Sequence, residues 1–182
     1  MMFEEMEDFV FQGDKDKIQQ YKEGMGKWLC RNSINNNDYH MFQYLKGKEY
    51  PYDANIAEEA AMNGAPDSLR YLQLDGFPIS ATALYLASSH NNHKIVEYIV
   101  RNVKEIEDNS ESRSTMGDLM YHGKLELAKI LASKGVRVCS DYAAQARRRG
   151  YPEITKWVME EYPEVFNEGI DNLFDFLVEN EN

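Results

Sequence analysis

One turn, written six times, constrains this chain more than any other feature. Gly13, Asn37, Gly64, Asn91, Gly123 and Gly150 recur at intervals of 24, 27, 27, 32 and 27 residues. Gly and Asn tolerate a left-handed backbone, which a tight helix–turn–helix corner often requires. Five residues after each anchor stand Ile18, Phe42, Leu69, Val96, Ala128 and Thr155; eight after stand Tyr21, Leu45, Leu72, Ile99, Leu131 and Val158. The three-residue gap sets each pair on one helical face. Eleven of these twelve positions are apolar or aromatic, Thr155 being the exception. Helices this short cannot stand alone, since isolated helices below about 12–15 residues are marginal in water. Each must bury its stripe against a neighbour built the same way, so the repeat predicts a stack of helix pairs.

The stretch Thr82 to Val103 shows the unit most clearly. Leu84 and Ala87 lie on a first helix; Ser88-Ser89-His90-Asn91-Asn92-His93 forms a polar turn; Val96, Ile99 and Val100 return on a second helix. First helices are otherwise written in small residues. Four before the anchors stand Phe9, Ser33, Ala60, Ala87, Leu119 and Ala146, and seven before stand Met6, Cys30, Ala57, Leu84, Met116 and Ala143. Small side chains at their centres let adjacent units approach closely. Pro66-Asp67 and Pro152-Glu153 open second helices with a harmless missing N–H and an acid at the positive end of the dipole. Gly76 and Gly135 close them, and Phe77-Pro78-Ile79 and Val136-Arg137-Val138 lead on as extended connectors.

Thr82-Ala83-Leu84-Tyr85-Leu86-Ala87 resembles the first-helix signature of ankyrin repeats, Thr-Pro-Leu-His-x-Ala. Gly123-Lys124-Leu125-Glu126-Leu127-Ala128-Lys129-Ile130-Leu131, followed by Gly135, is similar to that family's second helix and closing glycine. The resemblance implies an all-α solenoid of about six helix pairs. The family's repeat is about 33 residues, so intervals of 27 imply that the hairpin between units has shrunk to a loop. Shortened units of this kind resemble those of ankyrin-type proteins in large DNA viruses and intracellular bacteria. The expected frame is a single domain over 1–182, with units at about 4–26, 27–53, 54–80, 81–113, 114–140 and 141–166. Val103 to Arg113, polar and acidic, is expected to be an exposed excursion. Ile170, Leu173, Phe174 and Leu177 recur at helical spacing, so 167–182 is expected to form a C-terminal capping helix.

Composition narrows the function. The net charge of −11 repels phosphate backbones, which argues against direct nucleic-acid binding and suits a basic protein partner. No run approaches the roughly 20 apolar residues of a membrane span. The acidic start MMFEEMEDFVFQ lacks the basic region of a secretory signal. Cys30 and Cys139 fit no metal or redox spacing and read as reduced, partly buried thiols in a cytoplasmic setting. His90 and His93, with His122 in the next turn, lack the further ligand and fixed support a metal site needs. The acids lie in runs on solvent faces rather than in a pocket that would shift their pKa values. Gly24-Met25-Gly26-Lys27 lacks the spacing and strand of a phosphate loop, and no nucleophile elbow or zinc-protease helix is present. Arg147-Arg148-Arg149 reads as an exposed helix end. The expectation is a protein that is not an enzyme and has no cofactor or metal.

In ankyrin-like stacks the first helices line a concave surface. Carried onto this chain, positions six, five and two before each anchor give Glu59, Met62, Tyr85, Ser89, Asp118, Tyr121, Gln145 and Arg148 as the partner-binding set. Glu58 and Leu86 join them, and Gly117 and Ala144 fall there too. The implied function is non-catalytic: an adaptor or inhibitor holding a protein partner on a preorganised surface. Two alternatives stay open. An acidic face could mimic nucleic acid and block a basic protein, or a pocket beside the 103–113 excursion could hold a small ligand or substrate.

Overall fold

A computed structural model describes residues 15–167. They form eleven helices in chain order: α1 (Lys15–Asn35), α2 (Tyr39–Gly47), α3 (Ile56–Met62), α4 (Pro66–Leu74), α5 (Ala81–Ser89), α6 (His93–Asn102), α7 (Ser110–Tyr121), α8 (Leu125–Ser133), α9 (Ser140–Arg148), α10 (Pro152–Glu161) and the single turn α11 (Glu164–Asn167). No strand occurs among the described residues. α1 to α10 make five antiparallel pairs, stacked so that each unit packs on the next. The architecture is the expected all-α repeat solenoid.

The turn anchors behave as the spacing requires. Asn37, Gly64, Asn91, Gly123 and Gly150 have φ values of 58°, 72°, 59°, 70° and 90°. At each corner the residue after the anchor donates its N–H to the carbonyl five positions back. The bonds are Asp38 to Ser33, Ala65 to Ala60, Asn92 to Ala87, Lys124 to Leu119 and Tyr151 to Ala146, all 2.8–3.0 Å. This satisfies an otherwise orphaned carbonyl in the last turn of each first helix. The stripe positions counted from the described anchors are all buried, Thr155 included. The Thr155 hydroxyl donates to the Ala143 carbonyl at 2.8 Å, which removes the cost of placing it in the core.

Residue size sets the two sides of the stack apart. Successive first helices pack closely, whereas successive second helices touch more sparingly. The close side is lined by buried Ala57, Ala60, Ala61, Ala83, Ala87, Ala143 and Ala146. Gly117 belongs to the same series, because a Cβ there would lie 2.8 Å from the Tyr142 ring. Polar clips join the units. Asn37 accepts from the Ser68 N–H and donates to Asp67, both at 2.9 Å. Asn92 donates to the Ala61 and Met62 carbonyls at 2.9 Å each. Both caps reach across the unit boundary rather than within their own turn.

Three expectations need correction. The break between units at 26/27 does not form: α1 is one continuous helix, and Gly24 and Gly26 lie inside it. Gly26 serves close packing there, since a Cβ would meet Pro51 Cδ at 2.6 Å. The opening helix assigned to residues 4–12, with Met6, Phe9 and the Gly13 anchor, lies outside the described residues, as does the C-terminal cap with Ile170, Leu173, Phe174 and Leu177. Secondly, 103–113 is not an exposed excursion. Val103 and Ile106 are buried in the core, and α7 starts at Ser110, so the unit boundary at 113/114 falls within a helix. Its start is a capping box in which Asn109 accepts from the Ser112 N–H and Ser112 accepts from the Asn109 N–H. Thirdly, only Cys30 is buried; Cys139 is exposed, and both are free thiols.

Asp108 fastens that connector. Its carboxylate accepts from Arg113 Nε at 2.8 Å and Nη2 at 2.7 Å, and from the Arg137 N–H and Nε at 3.1 Å each. The Arg113 hydrogen bonds, with Arg137 helping, hold its pKa well below the usual carboxylate range. A depressed folded pKa gives stability that is present above the unfolded value of about 3.9 and is lost as pH falls through the folded one. Asp108→Asn is therefore expected to cost about 1–2 kcal/mol at pH 7, after allowance for solvent screening. In urea unfolding the gap between parent and variant should narrow progressively as pH falls from about 5 toward 1; a gap that does not narrow over that range would assign the loss to packing instead.

Candidate protein-interaction surface

The first helices α1, α3, α5, α7 and α9 form the more closely packed side of the stack, and the expected site residues lie on α3, α5, α7 and α9. Tyr85 on α5 and Tyr121 on α7 are each 37% exposed, although large and aromatic. They sit on adjacent units, Tyr85 at the middle of its helix and Tyr121 at the last position of its own, six and two residues before the turn. Ser89, Gln145 and Arg148 are exposed as well; Met62 is half-buried. Glu59 and Asp118 are drawn into the fold. Glu59 lies 3.4 Å from Arg31 Nε with only 14% of its side chain exposed, and Asp118 accepts from the Ser88 hydroxyl at 2.8 Å. Both therefore tie one first helix to its neighbour. Glu58 does the same, accepting from the Ser80 hydroxyl that caps α5.

Tyr121 has a companion the sequence did not announce. The Arg149 guanidinium carbon lies 3.9 Å from its ring centroid, and Arg149 Nη1 donates to its hydroxyl at 2.6 Å. The signal was present in the repeat frame: Tyr121 and Arg149 occupy neighbouring offsets on neighbouring first helices. His90 and His122 share another device. Each is the C-cap of its helix, with Nδ1 2.9 Å from the carbonyl four residues back. That contact places both rings at the negative end of a helix dipole and gives them a structural reason to stand at adjacent turns. Among the described residues no group of three or more His, Cys, Asp or Glu is placed to hold a metal ion.

The pocket alternative finds little geometry. One depression of about 540 Å³ is an open furrow lined by His93, Glu97, Lys124, Leu125, Leu127 and Glu153 among others. Groups with displaced pKa values lie elsewhere. Burial raises Cys30, Tyr39, Tyr98 and Tyr162, while Asp108 is lowered by its arginines. A catalytic pair would need such a group inside a sheltered cleft. No helix among the described residues is long and apolar enough to cross a membrane.

No curated protein matches the sequence. A family model for ankyrin repeats, in three copies, matches residues 27–167, most of the chain. Ankyrin repeats are generic protein-interaction modules and typically non-catalytic. With its left-handed turn anchors, its alanine-lined first helices and this match, the chain belongs to the ankyrin-repeat family.

Proposed function

We infer that this protein is a non-catalytic adaptor or inhibitor that holds a protein partner against its inner, first-helix face. The observation that carries the reading is the exposure of Tyr85 and Tyr121, two large aromatic side chains, on adjacent first helices that bury Leu84, Met116, Leu119 and Met120. Aromatic side chains lose little entropy on binding and are enriched among residues that dominate interface energies. The stack behind them is one continuous core, so both rings are presented already ordered. The shortened units resemble those of ankyrin-type proteins in large DNA viruses and intracellular bacteria. A host protein in the host-cell cytoplasm is therefore the first partner to seek.

The test is affinity capture from a host-cell extract with parent protein and with a Tyr85→Ala/Tyr121→Ala double variant as baits. The captured partner is then bound to both in purified form. Loss of two interface aromatics is expected to weaken binding roughly tenfold to a hundredfold. Equal affinity for both baits would reject the inner face as the surface. The nucleic-acid-mimic reading differs in its salt response: it requires affinity to fall steeply with added salt, whereas contact through the two tyrosines does not.

A further inference from the structure

The four residues that end on each described turn anchor are 34–37, 61–64, 88–91, 120–123 and 147–150. They contain no aspartate or glutamate, in a chain with 31 acids. Successive first helices pack together, so these segments lie side by side as a strip along the turn ends. Toward the C-terminus the strip changes from Asn35 and Asn36, through Ser89 and His90, to Tyr121 and His122, and then to Arg148 and Arg149. Helix C-termini favour cations through the dipole, which accounts for positive charge at turn ends.

The dipole does not account for how Arg149 is held. Its guanidinium is stacked on Tyr121 and bonded to the Tyr121 hydroxyl through Nη1. His122 meets Tyr121 edge-on, with ring centroids 5.1 Å apart, and is fixed by its own contact to the Asp118 carbonyl. The planar fork is thus immobilised, while Nε and Nη2 have no partner among the described residues. Nε–H and Nη2–H lie on the same edge of the guanidinium and match the two oxygens of one carboxylate. The overall charge of −11 is a weak opponent, because charges more than about 8 Å away are screened at physiological salt.

We propose that the basic C-terminal end of this strip, where Tyr121, His122, Arg148 and Arg149 lie, seats an acidic segment of the protein partner, with one of its carboxylates clamped by Nε–H and Nη2–H of Arg149. The proposal rests on the reading of the inner face as the partner surface and adds the charge that the partner presents there. The probe is an N-acetylated, C-amidated hexaglutamate peptide, titrated into the isotope-labelled full chain and followed by NMR, with hexalysine in parallel. The Arg149 Nε–Hε and Tyr121 backbone resonances are expected to move with hexaglutamate and to stay with hexalysine. Arg149→Lys keeps the charge but loses the fork and is expected to weaken binding about tenfold. Lys156→Gln, which removes a cation paired with Glu160 on a second helix, should change it by less than about twofold. The absence of shifts in the parent protein, shifts centred on other cations, or undiminished binding by Arg149→Lys would each overturn the proposal. With a partner captured, loss of binding in Tyr85→Ala but not in Arg149→Lys overturns the acidic anchor alone. Retention in both overturns the inner-face reading with it.

Discussion

Gly123→Ala is expected to destabilise the stack by about 2–4 kcal/mol. Two costs combine. An L-residue in the left-handed region pays roughly 1–2 kcal/mol, and Gly123 has φ +70°. The new Cβ would also stand 2.5 Å from Tyr151 Cε1, so the ring must leave its place in the seam with the next unit. Gly76 separates the two contributions. It has φ +84°, but nothing lies within 4 Å of its would-be Cβ. Gly76→Ala should therefore show only the backbone cost, about 1–2 kcal/mol. Urea unfolding of both variants measures the difference, and equal losses would mean that Tyr151 yields without penalty.

Leu84→Ala is expected to cost about 3–5 kcal/mol. Leu84 is fully buried at the centre of α5, a first helix packed against α3 on one side and α7 on the other. In a solenoid each unit contacts only its neighbours, so a cavity here weakens two interfaces at once. The consequence reaches beyond the midpoint. The denaturation slope should fall or the transition should split, as the units before and after α5 lose their coupling. A loss under about 1 kcal/mol with an unchanged slope would show that the surrounding helices close over the void.

Much of this fold was legible because its period is local. An anchor that needs a left-handed backbone and a stripe at fixed distances from it can be counted off the chain, and the positions counted from the described anchors proved buried. What escaped depended on contacts between distant residues. The role of Gly26 inside a continuous helix escaped because Pro51, which leaves no room for a Cβ there, lies 25 positions away. The 103–113 connector looked solvated because its acids outnumber its apolar residues. Ile106 nevertheless enters the core, and Asp108 satisfies an arginine five positions on and another 29 on. The candidate surface was legible in part. Offsets identified which residues lie on the inner helices, but could not say that Glu59 and Asp118 have partners inside the fold, nor that Arg149 stacks on Tyr121.

The alanines between first helices also fix a spacing. Helix axes separated by small side chains lie about 8–9 Å apart, the short end of the usual range, so anything laid across the inner face meets a new rung at roughly that interval. Seven residues of an α-helix advance about 10.5 Å, a near match that drifts out of step over several units. A ligand long enough to span the whole face must bend with it or let go at one end.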